Sequence, residues 1–259
     1  MGLFRNGKPN VKALARRGDA AALVAAAGYY DPVPAQGGGT ADRGIEVRQE
    51  AIMALAGMEP EVGAEVVTAA LSDPSDHVRL AAIRALYARR QTTPLAAALA
   101  WLPRDHGYAR PLAMKALAEL RRPDSAPTLT AALVNARGDE PVDEDESTLL
   151  TLLLEADEGS NATAEVVEQL LIALADESDA VSDRAEDLLT LIAPVSIEGV
   201  IAELKAGVAP HRAAAVLARI KDTRALEPLM EALLHRDARA RAESATALGE
   251  LRDPAASRP

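Results

Sequence analysis

The sequence contains no cysteine, very few aromatic residues and no apolar run long enough to cross a membrane. Without cysteine, the chain cannot form a disulfide, a thiolate metal site or a cysteine nucleophile. Aromatic residues make up 2% of the chain and hydrophobic residues 49%, so the core must consist mainly of Ala, Leu, Val and Ile. Small residues at this density favour closely packed helices over a sheet, which prefers β-branched and aromatic residues.

The sequence also lacks targeting signals. The first ten residues, "MGLFRNGKPN", have no apolar stretch of the kind found in a secretory signal. Asn6 stands where a myristoylation motif needs Ser or Thr. We therefore expect a soluble cytoplasmic protein that does not associate with membranes.

No motif for a cofactor, a metal ion or catalysis occurs in the sequence. No glycine-rich phosphate loop is present. A calcium loop counted from Asp143 would need Gly and Glu at its sixth and twelfth positions, where Thr148 and Leu154 stand instead. The sequence therefore predicts no cofactor, no metal ion and no enzymatic activity.

One amphipathic phrase recurs along the chain. "VRLAAIRAL" at 78–86 returns 31 residues later as "ARPLAMKAL" at 109–117. The pattern is an apolar residue, Arg, two free positions, a small residue, two free positions and Ala-Leu. It begins at 47, 78, 109 and 240, with weaker copies near 145, 181 and 209. Its apolar positions share one stripe of an α-helix, so each copy predicts an amphipathic helix.

A second helical pattern precedes each copy of the phrase, and turn residues such as "SDPSD" at 72–76 separate the two. Each unit is therefore a helical hairpin of about 30 residues, which cannot bury its own apolar face and must stack on its neighbours. The sequence predicts an all-α fold, an α-solenoid of about seven stacked hairpins forming one domain over residues 1–259. The preceding helical segments lie at 20–30, 65–73, 94–102, 126–134, 164–174, 197–204 and 225–234.

The last repeat, residues 222–251, has Asp222, Ala225, Pro228 and Leu229 in its first helix and Arg241, Ala247, Leu248 and Gly249 in its second. On these residues it resembles a HEAT repeat of the short prokaryotic type, also called PBS-lyase HEAT-like. The resemblance implies a binding scaffold and says little about the partner. The paired His-Glu motifs of iron-binding HEAT proteins are missing, because none of the four histidines is followed by Glu.

The resemblance also implies a contact inside each repeat. An Asp six residues before the repeat Arg commonly ties the turn to that Arg in the family. The pairs Asp42–Arg48 and Asp73–Arg79 keep this spacing, whereas His235 takes the place of the Asp before Arg241.

Two segments interrupt the repeat period. Residues 31–44 are rich in Gly and Pro and predict a mobile loop inside the first hairpin, and residues 135–147 predict a polar acidic loop inside the fourth. Such insertions project from one edge of a solenoid, where they either carry function or are simply tolerated. Residues 253–259 predict the start of an incomplete further repeat.

Charge is distributed unevenly along the chain. Residues 123–208 hold 20 Asp and Glu against 3 Lys and Arg, whereas 1–122 carry a net +4 and 209–259 a net +2. This balance argues against nucleic acid as the main ligand, which requires a basic surface. We interpret the remaining basic residues of the first part, Arg84, Arg89, Arg90, Lys115, Arg121 and Arg122, as a solvated helix face.

The acidic block at 123–208 permits two interpretations. It is either a docking surface that attracts a basic protein segment over a long range or a surface that keeps an Ala- and Leu-rich protein soluble. Asp183 and Asp187 are four residues apart on one helix face, where like charges cost a few tenths of a kcal/mol. Because the repeat does not require this cost, the pair favours the docking interpretation.

We predict a non-enzymatic protein–protein interaction scaffold whose acidic block docks a basic partner. The resemblance implies that the second helices line the concave face, and the acidic loop adds further candidates. Two alternatives remain open, a regulatory or lyase-type subunit in chromophore attachment and a self-assembling structural protein, and so does the oligomeric state. The candidate partner-binding residues are Gln49, Glu50, Arg84, Lys115, Asp143, Glu144, Asp145, Glu146, Asp183, Asp187 and Arg212.

Overall fold

The computed structural model describes residues 4–5, 7–34, 40–103, 107–136, 141–157 and 161–251. It is 72% helical with fifteen helices in these ranges, which confirms the all-α prediction. Within the same ranges, every helix is too short or too polar to span a bilayer.

The α-carbon contacts divide the chain into two units, residues 1–120 and 121–259. The first unit contains three hairpins, α2–α3, α4–α5 and α6–α7, and its second helices pack in order, α3 on α5 and α5 on α7. Its helices are α1 (Val11–Arg17), α2 (Ala20–Ala27), α3 (Ile45–Ala56), α4 (Ala64–Ala69, continued by a 3₁₀ turn), α5 (Asp76–Ala88), α6 (Thr93–Ala98) and α7 (Ala109–Leu120).

The second unit contains four hairpins, α8–α9, α10–α11, α12–α13 and α14–α15. The first helices α8, α10, α12 and α14 pack one on the next, as do α11, α13 and α15. These helices are α8 (Ala126–Val134), α9 (Glu144–Glu155), α10 (Ala162–Leu174), α11 (Asp179–Leu191), α12 (Ala193–Ala206), α13 (Pro210–Ile220), α14 (Leu226–Ala232) and α15 (Ala238–Leu251).

All seven repeat phrases fall on second helices of hairpins, so the α-solenoid class is confirmed. The repeated small residues Ala51, Ala82 and Ala113 are fully buried. Alanine at this position lets the neighbouring helix approach closely, which is why a core almost without rings can be dense. A single domain extending over both units stays a prediction.

The first insertion contains two short strands. Strands β3 (Pro32–Pro34) and β4 (Thr40–Asp42) pair antiparallel, following the short ribbon of β1 (Phe4–Arg5) and β2 (Lys8–Pro9). A loop throughout 31–44 is therefore wrong for these residues, while 35–39 lie outside the described ranges. A two-stranded ribbon accepts the prolines of β3 because each strand has an open edge that needs no N–H donor.

The second insertion ends in a helix. Helix α9 begins at Glu144, so a loop reaching to 147 is wrong for its last four residues. Residues 137–140 lie outside the described ranges, as does the incomplete repeat predicted at 253–259.

Candidate functional site

Arg48 joins the first hairpin to the second. Its Nε and Nη2 donate to the two carboxylate oxygens of Asp73 at 2.8 and 3.1 Å, and its Nη1 donates to the carbonyl of Tyr29 at 3.1 Å and to Asp42. Burial opposes the charge of Arg48, but the hydrogen bonds to Asp73 and Asp42 outweigh it and raise the pKa of the guanidinium. The arginine is therefore structural.

The other repeat arginines bind main-chain carbonyls. Nη1 of Arg79 donates to the carbonyl of Asp73 at 2.7 Å, and Nη1 of Arg241 donates to the carbonyl of His235 at 2.9 Å. Asp73 therefore ties the turn to Arg79 through its main-chain carbonyl, because its carboxylate accepts from Arg48 instead. A carbonyl is available whatever the side chain, so His235 replaces Asp without loss of this contact.

The candidates of the first unit are spread over its second helices. Gln49 and Glu50 are half-buried, and Glu50 lies 3.6 Å from Lys12. Arg84 and Lys115 are exposed and border a shallow hollow of about 240 Å³ between α5 and α7. Lys115 lies 3.8 Å from Glu119 on its own helix.

The basic residues of the first 122 positions do not all lie on one solvated helix face, as the sequence suggested. The buried guanidinium of Arg89 donates to the carbonyls of Leu55, Pro60 and Val62 at 2.5, 3.1 and 2.7 Å. It therefore closes the end of the preceding hairpin and is unavailable to a ligand. Arg84, Arg90, Arg121 and Arg122 are exposed.

The acidic loop divides into structural and exposed carboxylates. The Oδ1 of Asp143 accepts from the N–H of Glu146 at 2.8 Å, and the Oε2 of Glu146 accepts from the N–H of Asp143 at 3.2 Å. This reciprocal capping box starts α9. Glu146 is fully buried, so its candidate role in partner binding is corrected to a role in the fold. Asp143, Glu144 and Asp145 are exposed.

The like-charged residues of α11 face cations of α13. Arg212 donates to Asp183, Glu186 and Asp179 at 2.8, 2.7 and 2.9 Å. Burial raises the pKa of the Glu186 carboxyl, because the hydrogen bond from Arg212 offsets only part of the desolvation.

Asp187 has a cation of its own. It accepts from Arg219, another α13 residue, at 2.7 Å. The like-charge argument for docking, drawn from Asp183 and Asp187, is therefore wrong: two guanidinium groups of the next hairpin offset the repulsion.

Five exposed carboxylates remain among the described residues at the turns of two neighbouring hairpins. The turns lead from α8 to α9 and from α10 to α11. Arg184 of α11 ties its helix to the end of α8 by donating to the carbonyls of Val134 and Ala136 at 3.2 and 2.9 Å. Among the described residues, none of the five forms an ion pair with Lys or Arg. We call this set, Asp143, Glu144, Asp145, Asp176 and Glu177, the acidic edge.

An open groove of about 1020 Å³ runs between α10 and α12. Ile172, Val195 and Val208 line it with 69%, 48% and 70% of their surfaces exposed. The two helices approach closely at Gly199, where a Cβ would lie 2.9 Å from Val167 Cγ1. We call this feature the α10–α12 groove. Sequence reasoning missed it, because an exposed Ile on an amphipathic helix has the same local pattern as a buried one.

Acidic side chains stand along the groove. Glu168 on α10 and Glu203 on α12 line it, together with Asp157 at the end where α10 begins. The Asp157 carboxylate accepts from the N–H and hydroxyl of Thr163, both at 2.8 Å. At the opposite end, Ala175 leads directly into Asp176 of the acidic edge.

The described ranges contain no group of His, Asp and Glu side chains arranged to hold a metal ion.

Repeated helical hairpins, each packed on the next within its unit, define an α-solenoid repeat protein. The family model for HEAT repeats matches residues 40–110 and 197–259, just over half of the sequence, and the chain belongs to this family. A crystal structure of an engineered protein is similar at 18% identity and a TM-score of 0.38, over 93% of this chain and 70% of that one. The comparison with curated proteins gave no match.

Proposed function

We propose that this HEAT-repeat protein is a non-enzymatic scaffold that docks a basic segment of a partner protein on its acidic edge. HEAT repeats commonly mediate protein interactions, since stacked hairpins present an extended surface. The single observation that carries the basic partner is the acidic edge itself, five exposed carboxylates on two neighbouring turns.

Electrostatics supports this assignment. Exposed carboxylates on neighbouring turns raise the local negative potential and steer a cationic segment towards them over about 8 Å at physiological salt. The surrounding sequence strengthens the field, because residues 123–208 carry a net charge of −17. Charge complementarity of this kind increases the association rate and selects partners by sign.

The proposed surface differs from the one expected from the sequence. Glu146 is removed because it is buried, and Asp176 and Glu177 are added because they are exposed on the adjoining turn. Roles for the first-unit candidates and for Asp183, Asp187 and Arg212 stay predictions, as do the alternatives of chromophore attachment and self-assembly.

The test is an affinity capture from lysate at low and high salt, comparing wild-type protein with a variant that neutralises the acidic edge. The variant is D143N/E144Q/D145N/D176N/E177Q, in which the amide oxygens introduced at positions 143 and 176 can still accept the local main-chain hydrogen bonds. A matched control neutralises five other acidic residues of the second unit, Glu198, Glu227, Glu231, Glu243 and Glu250.

We expect a partner that is lost at high salt and with the acidic-edge variant but is retained by the control. A partner captured equally by all three proteins at both salt concentrations would refute docking on the acidic edge.

A further inference from the structure

The α10–α12 groove exposes more apolar surface than the fold needs. Ile172 and Val208 keep about two thirds of their surface in water, although the buried Leu170, Leu174 and Leu204 already anchor the same two helices to the core. Contiguous exposed apolar side chains rimmed by polar groups are a mark of interaction sites. The groove is therefore a candidate docking surface.

The shape of the groove fits a helix. Helix α10 has 13 residues, so the groove is about 20 Å long, which is the length of a helix of three to four turns. Its walls are helices whose main-chain groups are bonded internally. An extended segment would bury its own N–H and C=O groups against these walls without partners, whereas a helix satisfies them itself.

The charge around the groove selects the sign of the occupant. Glu168, Glu203 and Asp157 line it, and its far end is lined by Ala175, the residue before Asp176. A second hollow of about 230 Å³ is lined by both Ile172 and Asp176. Ile172 therefore belongs to the groove and to a hollow that a carboxylate of the acidic edge borders.

We propose that the α10–α12 groove receives an amphipathic helix of the partner protein, with an apolar stripe along the groove and Lys or Arg side chains towards the carboxylates. This inference rests on the proposed function and specifies the partner segment that the acidic edge attracts. Ile172 and Val208 act as the apolar anchors, and Asp176 marks the end of the groove at which the basic residues gather.

A synthetic peptide tests the proposal on the full chain. The probe is a fluorescent peptide of about 15 residues with Leu at helical i, i+3, i+4 and i+7 spacing and Lys elsewhere. A scrambled peptide of equal composition has no apolar stripe, and a third peptide replaces Lys by Glu. Fluorescence anisotropy measures the Kd of each at low and high salt.

The groove variant is I172S/V208S, which removes apolar surface without adding charge. The matched control is L234S, because Leu234 belongs to the same unit, is 90% exposed and does not line the groove. Both variants change surface residues only, and circular dichroism checks that the helix content is unchanged.

We expect the basic striped peptide to bind and I172S/V208S to raise its Kd at least about tenfold, as loss of interface anchors does. L234S should leave the Kd within about twofold, and the scrambled and acidic peptides should bind at least about tenfold more weakly. Absence of binding, or equal binding of the scrambled peptide, would overturn the groove proposal.

The acidic-edge variant separates the two proposals. If it weakens binding while I172S/V208S does not, the groove inference fails and the acidic edge stands. If I172S/V208S weakens binding while the acidic-edge variant and high salt do not, the proposed electrostatic docking fails and an apolar helix site remains.

Discussion

The Nε atom of Arg48 lies 2.8 Å from Oδ2 of Asp73, so an arginine of the first hairpin holds the turn of the second. The same guanidinium also binds Asp42 of its own hairpin. One cation thus neutralises two carboxylates whose side chains are only 11% and 12% exposed. This ion pair joins the same two hairpins whose second helices pack on each other.

Replacing Arg48 with Ala should lower the free energy of unfolding by about 3 kcal/mol. The change leaves Asp42 and Asp73 unpaired in a largely buried site, and breaking such pairs by removing one partner is strongly destabilising. Urea denaturation followed by circular dichroism measures the loss. K12A serves as the control, since its exposed ion pair with Glu50 contributes at most about 1 kcal/mol. Equal losses in the two variants would contradict the structural role of Arg48.

Asp42 should make the fold sensitive to acid. Burial opposes its ionisation, but hydrogen bonds from the N–H groups of Asp31 and Gly44 and from Arg48 outweigh it and lower the pKa. A lowered pKa means that the stabilisation is complete above the ordinary value of 3.8 and is lost as the pH falls through the folded value. The urea midpoint of wild-type protein should therefore fall more steeply below pH 4 than that of D42N. Parallel curves for the two proteins would show that Asp42 does not contribute this slope.

The acidic loop should separate stability from binding. E146A breaks the capping box of α9 and should lower the free energy of unfolding by about 0.5–2 kcal/mol, the usual range for a lost cap. E144Q/D145N leaves the capping box intact and should change the free energy of unfolding by less than about 1 kcal/mol. The same variant should bind the basic peptide more weakly. Thermal unfolding and anisotropy on the same samples check both effects. If E144Q/D145N were destabilised but bound the peptide normally, Glu144 and Asp145 would be stabilising residues and not binding residues.

The ion pairs that Arg212 forms should differ in strength. The side chain of Glu186 is 17% exposed and that of Asp179 is 92% exposed. A double-mutant cycle between Arg212 and Glu186 should give a coupling energy of about 1 kcal/mol or more, because solvent screens this pair less. The cycle between Arg212 and Asp179 should give less than about 0.5 kcal/mol. Similar values for the two pairs would mean that burial does not control their strength.

The second helices could be predicted from the sequence because their signal is local. The stripe that begins at Val47, Val78 and Ala109 needs only the helical period, and the structure places α3, α5 and α7 there. The weakest copy, near 145, is still a helix, although Glu146 stands in the Arg place of the phrase. The apolar positions of this copy were enough to predict the helix, because burial of Leu149 and Leu153 drives its packing.

The candidate site was only partly predictable. Asp143, Glu144 and Asp145 are exposed as the acidic composition suggested, whereas Glu146 is buried in the cap. The sequence suggested that Asp183 is repelled by Asp187. It did not reveal the compensating partner Arg212, because Arg212 lies 29 residues away in the sequence. A local pattern contains no information about which helix will lie opposite.

Sequence by itself determined the hairpin repeat, the uneven charge and the absence of thiol chemistry, since each depends on residue type and spacing along the chain. Tertiary structure alone decided which charges are neutralised and which apolar side chains stay in water. Arg48 meets Asp73 across 25 residues and Arg212 meets Asp179 across 33, distances set by how one hairpin stacks on the next. The α10–α12 groove has the same origin, because the exposure of Ile172 and Val208 depends on the separation and rotation of two helices that the repeat pattern does not specify.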